Sequence, residues 1–387
     1  MRKRPRRLQD VAGIGVDRMG ALADASGGEF LRLENLDVDI PPDAVAIERT
    51  RSAAGEDEAN SYLPFIGQLS LRRAAAEHVS KLSGVAYSGE RNCIISAGGL
   101  SGILNVLLAT VDDGDEVIVT DPTYAGLINR IRLAGGVPKF VPFAFTPGAE
   151  WRLDREALQA AVGPRTRAML LMSPSMPSGG YLDREDWSLI ARSCVAHDLT
   201  LIIDAAMERL LFDKRTVIHP AGLPGMAERS ITVGSSAKEL RMIGWRVGWI
   251  VAPESYVPDL VAVSLANVVV PVGIAQEAVA VALAHSAATL PAYVGELERR
   301  RDLLLRELAG LPFGVPAGGW SLLLRLSDFG IDGAEMSRRL LEQKVAATAM
   351  AGWGERHGRE FIRFVFSNEP VERLKGLGAK LRAALRL

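Results

Sequence analysis

The chain has 387 residues, 48% of them hydrophobic, which is more than one simple core accommodates and points to a large domain joined to a smaller one. Its 45 Lys and Arg against 46 Asp and Glu leave a net charge of -1, so no global field draws it to nucleic acid or to a membrane surface. Cys93 and Cys194 alone are too few for a disulfide framework or a zinc site, and a reducing cytoplasm is the expected compartment.

In chain order, the basic run MRKRPRRL has no apolar segment behind it, which argues against a secretory signal, and it reads as a frayed, solvated terminus. Elsewhere the longest apolar runs are broken by Gly, Pro or charge, so no membrane span is expected. From about Ile94 to Ala252, short runs rich in Val and Ile (NCIIS, EVIVT, AMLLMS, LIID, ITVGS, VGWIVA) alternate with stretches of helical spacing such as GLSGILNVLLATV and REDWSLIARSCVAHD. Strand, crossover helix and strand in succession imply a mostly parallel sheet covered on both faces. PAYVGELERRRDLLLRELAG predicts a long charged amphipathic helix closed by Gly310, suited to a spine between domains. GGWSLLLRL, REFIRFVFS and PVERLKGLGAKLRAALRL then read as strands and a closing helix, the content of a small α+β domain. The sequence shows no internal repeat.

In an open parallel sheet, ligands sit outside the carboxyl ends of the strands. The candidates are therefore residues 96–100, 121–124 and 173–179, Asp204, and residues 235–238. Singly, each has an ordinary reading: a tight strand-to-helix turn at SAGGLSG, a packing role for Tyr124, a helix cap at Asp204, a solvated helix position for Lys238. Together and in order they offer a phosphate turn at a helix N-terminus, a stacking aromatic, a buried carboxylate and a lysine amine. Pyridoxal phosphate is the cofactor that joins an aldehyde, a phosphate and a ring nitrogen wanting an acidic partner.

These motifs resemble those of the class I and II aminotransferases, pyridoxal-phosphate enzymes of fold type I, over nearly the whole chain. SYLPFIGQLSLR, GGLSGIL and DPTYAG look like the family's tyrosine element, phosphate turn and aromatic loop. SPSMPSGG stands where the family writes Asn-Pro-x-Asn-Pro-Thr-Gly, and DAAMERLLFD where it writes Asp-Glu-x-Tyr. SSAKELRMIGWRVG answers Ser-x-Ser/Ala-Lys followed by Gly-x-Arg-x-Gly, the most specific of these signatures. The resemblance implies that Lys238 holds the cofactor as an imine and that Asp204 pairs with its ring nitrogen. It implies that Ser235, Arg246 and the amides of Gly99 and Leu100 grip the phosphate, and that Tyr124 stacks on the ring. Tyr62 would reach a phosphate in a neighbouring subunit, hence a homodimer with shared sites. Arg363, in FIRFVFS, would bind the substrate α-carboxylate, the ordinary alternative being a surface arginine at a strand edge.

Three departures from the family pattern stand out. Met176 and Met207 replace the asparagine and tyrosine that donate to the cofactor's phenolic oxygen, and methionine cannot donate. Either the cofactor's linkage then keeps its proton at neutral pH, or the methionines fill space while another donor serves the oxygen. Leu36, in LENLDVDIPP, stands where relatives approach the substrate carboxylate through glycines. The acidic residues beside it face either a cationic side chain or solvent.

The expected fold is α/β, fold type I, with a large cofactor domain over 44–288 around a mostly parallel sheet. Residues 1–43 and 289–387 form the small α+β domain. The expected function is transamination between an amino acid and a 2-oxo acid, the alternative being another pyridoxal-phosphate reaction such as β- or γ-elimination, replacement or cyclisation. A ligand-sensing regulator is disfavoured because no helix-turn-helix module precedes the fold. No second arginine can be set against a side-chain carboxylate, so a preference for aspartate or glutamate is not supported. Trp320 and Trp353 either line the pocket or serve the core.

Overall fold

The computed structural model describes residues 4–387; the first three residues of the basic N-terminal run lie outside the described residues. The strands, in chain order, are β1 (Leu31–Arg32), β2 (Cys93–Ser96), β3 (Glu116–Asp121), β4 (Val137–Ala144), β5 (Arg152–Leu153), β6 (Thr166–Leu171), β7 (Thr200–Asp204), β8 (Ser230–Ser235), β9 (Gly248–Val251), β10 (Ser321–Arg325), β11 (Val345–Ala346), β12 (Thr348–Ala349) and β13 (Phe361–Val365). The central sheet has the order β2-β9-β8-β7-β6-β3-β4-β5. Its interior is parallel from β4 through β3, β6 and β7 to β8, and β9 runs antiparallel between β8 and β2. Helices cover both faces, so β2, β3, β7, β8 and β9 are buried at every position. This is why those strands read as unbroken apolar runs with no alternation.

All six expected strands are present, within two residues of their sequence-based bounds. Strand β4 was not expected, because Pro138 and Pro142 demote VPKFVPFA as a strand. Both prolines share one side of the strand, its ladder to β3 is intact, and β5 meets it only at Phe143 and Ala144, so the missing donors fall on the nearly open side. The tail forms a second, antiparallel sheet, β10-β13-β12, and β1 pairs in parallel with β11. The N-terminal strand is thus built into the C-terminal part of the fold.

One expectation is corrected. The predicted spine is one helix from Gly273 to Glu307, beginning well before PAYVGELERRR and running through Pro291. An 18-residue window of it has a mean hydropathy of 1.4, so by length and composition this helix is long and apolar enough to cross a membrane. In the fold it packs on helices Ala44–Ala53 and Leu69–Ser83. Its buried Gln276 is satisfied by protein alone, accepting from Gln68 N at 2.9 Å and donating to Pro271 O at 3.1 Å. In the basic N-terminal run Arg4, Pro5 and Arg7 are exposed, and the chain is anchored just beyond the run. Asn129 Nδ2 and Arg132 Nη1, on helix Ala125–Leu133, donate to Ala12 O and Asp10 O at 2.8 and 2.7 Å.

Candidate active site

The carboxyl ends of the parallel strands meet at a cavity of about 130 Å³. Of the residues to which the family resemblance gives a place at the cofactor or substrate, all but Tyr62 and Arg363 line it: Leu36, Gly99, Leu100, Tyr124, Met176, Asp204, Met207, Ser235, Lys238 and Arg246; Trp320 and Trp353, buried, do not. Met172, Ala206, Ala237 and Ile243 complete the wall. Ala237 falls within the 235–238 candidate stretch, whereas Met172, Ala206 and Ile243 are ordinary apolar residues that nothing in the sequence marks.

One end of the cavity is built for an anion. Helix Gly99–Thr110 starts at its wall, and its N-cap, Gly98, offers no side chain to the first amides. Gly98 has φ of +90°, and a Cβ there would lie 2.7 Å from Arg246 Nη2. A Cβ on Gly99 would lie 3.0 Å from Ser235 Cβ. Only glycines let the guanidinium and the serine close on the helix N-terminus. Arg246 itself is left-handed, φ 56°, and its Nη1 is steadied by Ile243 O at 2.8 Å. Arg130 borders the same turn, donating to Leu100 O at 2.7 Å.

At the other end, Asp204 closes β7 and Lys238 follows β8. The Asp204 carboxyl is buried, which pushes its pKa up to about 6 against the downward pull of the Ala206 amide, Lys238 and Arg130. Burial likewise draws the Lys238 amine down to about 7, opposed by Asp204 and Asp37 and reinforced by Arg363 and Arg246. Lys238 Nζ donates to Leu36 O at 3.4 Å and lies 3.7 Å from the centroid of the Trp320 ring. The LENLDVDIPP segment is therefore part of the site rather than a solvated loop, although Asp37 is exposed; Asp39 is engaged by Arg300 Nη1 at 2.8 Å.

Arg363 is wholly buried in the middle of β13, which excludes the surface reading. Its Nη2 donates to Glu34 O at 2.9 Å and to Thr348 Oγ1 at 3.3 Å, while Nε and Nη1 have no partner among the described residues. Burial holds its pKa down to about 9. Its guanidinium carbon lies 4.4 Å from the centroid of the Trp353 ring, and Trp353 meets Tyr124 edge-on at 5.3 Å. One indole thus separates the cavity's aromatic from the orphaned arginine. The loop carrying Trp353 is tied to the Tyr124 loop: Thr123 N donates to Trp353 O, and buried Asp121 accepts from the amides of Glu355, Arg356 and His357. Tyr62 stands apart from the cavity, 82% exposed.

Behind the lysine lies a buried polar cluster that sequence reading missed. Glu239 accepts from Arg209 N at 2.7 Å and Arg209 Nε at 2.6 Å, clamping the loop after β8 to the loop after β7. Glu208, next to it, faces His78 and His219. Burial raises both carboxyls. A signal existed in the charged residues directly beside Met207 and Lys238, at positions the sheet must bury.

The donor set fits pyridoxal phosphate: a cradle that a Cβ would fill for the phosphate, a carboxylate for the ring nitrogen and a near-neutral amine for the aldehyde. The family model for aminotransferase class I and II matches residues 28–377. An arginine–pyruvate transaminase of Pseudomonas aeruginosa is 34% identical over 346 residues, 87% of this chain and 86% of that protein. Aromatic-amino-acid aminotransferase 2 of Thermococcus litoralis is 33% identical over 311 residues, 79% of each. The solved structure of N-succinyldiaminopimelate aminotransferase from Mycobacterium tuberculosis superposes with a TM-score of 0.89 at 30% identity, covering 99% of this chain and 98% of that one. The chain belongs to the class I and II aminotransferases of fold type I, enzymes that use pyridoxal phosphate to move an amino group between an amino acid and a 2-oxo acid.

Proposed function

We propose that Lys238 is the attachment point of the cofactor and the proton carrier of the transamination. The observation that carries this is the pairing of a lysine amine brought down to about 7 with a buried carboxylate, at the end of a cavity whose other end is an anion cradle. When bound, the cofactor supplies an electron sink for the electrons of the substrate Cα–H bond. Lys238 Nζ, once freed by the incoming amine, takes the proton from the substrate Cα. Asp204 keeps a proton on the ring nitrogen, the positive charge there favouring its own ionised form. Ser235, Arg246 and the amides of Gly99 and Leu100 hold the phosphate, and Tyr124 covers the ring. Arg363 offers the substrate carboxylate its buried positive charge and the donors of Nη1 and Nε that no protein group takes up.

The walls near Lys238 are Leu36, Met172, Met176, Met207 and Ile243, which supports an amino acid with an uncharged side chain as donor. The exposed Tyr62 lies beside exposed Phe65, and Gly273, next to exposed Val272, packs against Ala59 and Leu63. This apolar edge supports a homodimer in which Tyr62 of one protomer reaches the phosphate of the other. The division into a cofactor domain (44–288) and a small domain (1–43 with 289–387) goes with this reading, helix Gly273–Glu307 being the spine across residue 288. Buried, unpaired Cys93 and Cys194 fit the reducing cytoplasm.

The test is to incubate holoprotein with single amino acids and a panel of 2-oxo acids, with borohydride mapping of the cofactor and sedimentation of the assembly. Amino transfer with label on Lys238 is expected. Label on another lysine rejects the site, and a monomer that turns over at full rate rejects the shared phosphate contact.

A further inference from the structure

The largely buried charges of Arg209, Arg300 and Arg301 are each matched by a carboxylate, on Glu239, Asp39 and Asp213. Half-buried Arg130, on helix Ala125–Leu133, has no ion-pair partner among the described residues. Its hydrogen bonds go to two carbonyls, from Nε to Leu100 O at 2.7 Å and from Nη1 to Gly126 O at 2.9 Å. Burial lowers its pKa, opposed by Tyr124 and Asp204. A charge removed from water without a counter-ion is unfavourable. Arg72 and Arg241 are unpaired as well, but the carbonyls they hold belong to Gly67, Gly89, Pro41 and Glu239, none of which lines the cavity. Leu100 does line it.

Leu100 is the second residue of helix Gly99–Thr110. The first amide there to close a backbone bond is Gly102 N, on Gly98 O at 3.1 Å; those of Gly99, Leu100 and Ser101 have no acceptor among the described residues. Helix carbonyls point away from the N-terminus, so a group on Leu100 O stands behind this turn, and Arg130 accordingly does not line the cavity. From there its charge has the same sign as the free end of the helix dipole, and its donation to a carbonyl polarises the amides of that turn. The bond to Gly126 O keeps the guanidinium in place from the helix that follows Tyr124. We propose that Arg130 is a positioning residue of the phosphate site, a second positive charge besides Arg246 that acts from behind the turn and makes it prefer a cofactor carrying a phosphate. The inference rests on the reading of this turn as the phosphate site and needs no contact between Arg130 and the cofactor.

The experiment titrates cofactor-free protein with pyridoxal phosphate and, separately, with pyridoxal, which has the same ring and aldehyde and lacks the phosphate. The ratio of the two dissociation constants isolates what the phosphate contributes, because any effect of Arg130 on Tyr124 or Asp204 is common to both ligands. Arg130→Gln removes the charge and should weaken pyridoxal phosphate relative to pyridoxal by roughly 5- to 30-fold, the range for a charge at a partly buried helix terminus. Arg130→Lys keeps the charge and should hold the ratio near its wild-type value. An unchanged ratio in Arg130→Gln overturns the proposal, as does an equal weakening of both ligands, which is what loosening of the Tyr124 helix alone would give. A loss in Arg130→Lys of about 5-fold or more overturns it too, and decides the matter if the glutamine variant does not fold. Borohydride reduction and peptide mapping accompany each titration. Wild-type protein that binds both ligands alike, or carries its label off Lys238, removes the functional reading and this inference with it. Wild-type preference for the phosphate, label on Lys238 and an unchanged ratio in Arg130→Gln remove this inference only.

Discussion

A lysine amine ordinarily titrates at 10.5, and burial brings that of Lys238 to about 7. Only the neutral amine attacks an aldehyde. At pH 7 about half of such a group is neutral, against roughly one part in 3,000 at the ordinary value, so the reactive form is enriched roughly a thousandfold. In cofactor-free protein this is expected to appear as the pH dependence of capture: a short pulse of pyridoxal phosphate, borohydride reduction, and quantification of the Lys238 peptide by mass spectrometry. Nα-acetyllysine in the same solution serves as the reference. Capture at Lys238 should rise through a midpoint near 7 and level off, while the reference keeps rising. Asp204→Asn should move the midpoint lower, because the carboxylate favours the ammonium form. A Lys238 curve that climbs in parallel with the reference, or an upward move in Asp204→Asn, refutes the reasoning. The sign of the stability effect follows from the same group. Between about 7 and 10.5 the unfolded chain holds a proton on this lysine that the folded chain has released, so stability rises with pH across that window. Below it the burial penalty is present in full.

Asp204→Ala should reduce kcat by orders of magnitude and Asp204→Glu by much less; near-normal turnover of the alanine variant would reduce the carboxylate to a cap for Ala206 N. Arg363→Lys replaces a guanidinium with free donors by one shorter ammonium, and kcat/KM for amino acid and 2-oxo acid alike should fall roughly 10- to 150-fold, equal to about 1.5–3 kcal/mol. Equal values in wild type and variant would place the substrate carboxylate elsewhere. Glu239→Ala strands the Arg209 guanidinium, only 15% exposed, and should lower unfolding free energy by about 3–5 kcal/mol in urea titration. A loss under about 1 kcal/mol would show that solvent reaches this cluster.

The sheet and most of the cavity were legible because strand ends concentrate chemistry. Asp204, Ser235 and Lys238 follow apolar runs too short and too Val/Ile-rich to be helices, so their places could be read off the chain. What contacts arise across long separations was not legible. Nothing in the sequence joins Trp320 to Lys238, or Asp121 to the amides of Glu355, Arg356 and His357, because such pairs are fixed by tertiary approach and leave no local periodicity. The orphaned half of Arg363 could not be foreseen either: burial of a strand arginine depends on what covers it, here Glu34, Thr348 and Trp353. Helix Gly273–Glu307 escaped for the opposite reason. AVAVALAHSAATL has helical residues throughout but no cap or break to divide it from the charged turns that follow.

The bond between Asp121 and the 355–357 amides also bears on how the protein is born. Synthesis delivers Asp121, Tyr124, Asp204 and Lys238 long before the segment that satisfies Asp121 leaves the ribosome. Until then a carboxylate destined for burial has only water for a partner, and the loop beside it has no Trp353 O to receive Thr123 N. The cavity's lining residues, Leu36 to Arg246, are all made earlier, so a nascent fragment that ends before residue 353 has the sheet and the pocket walls without the clamp on the Tyr124 loop.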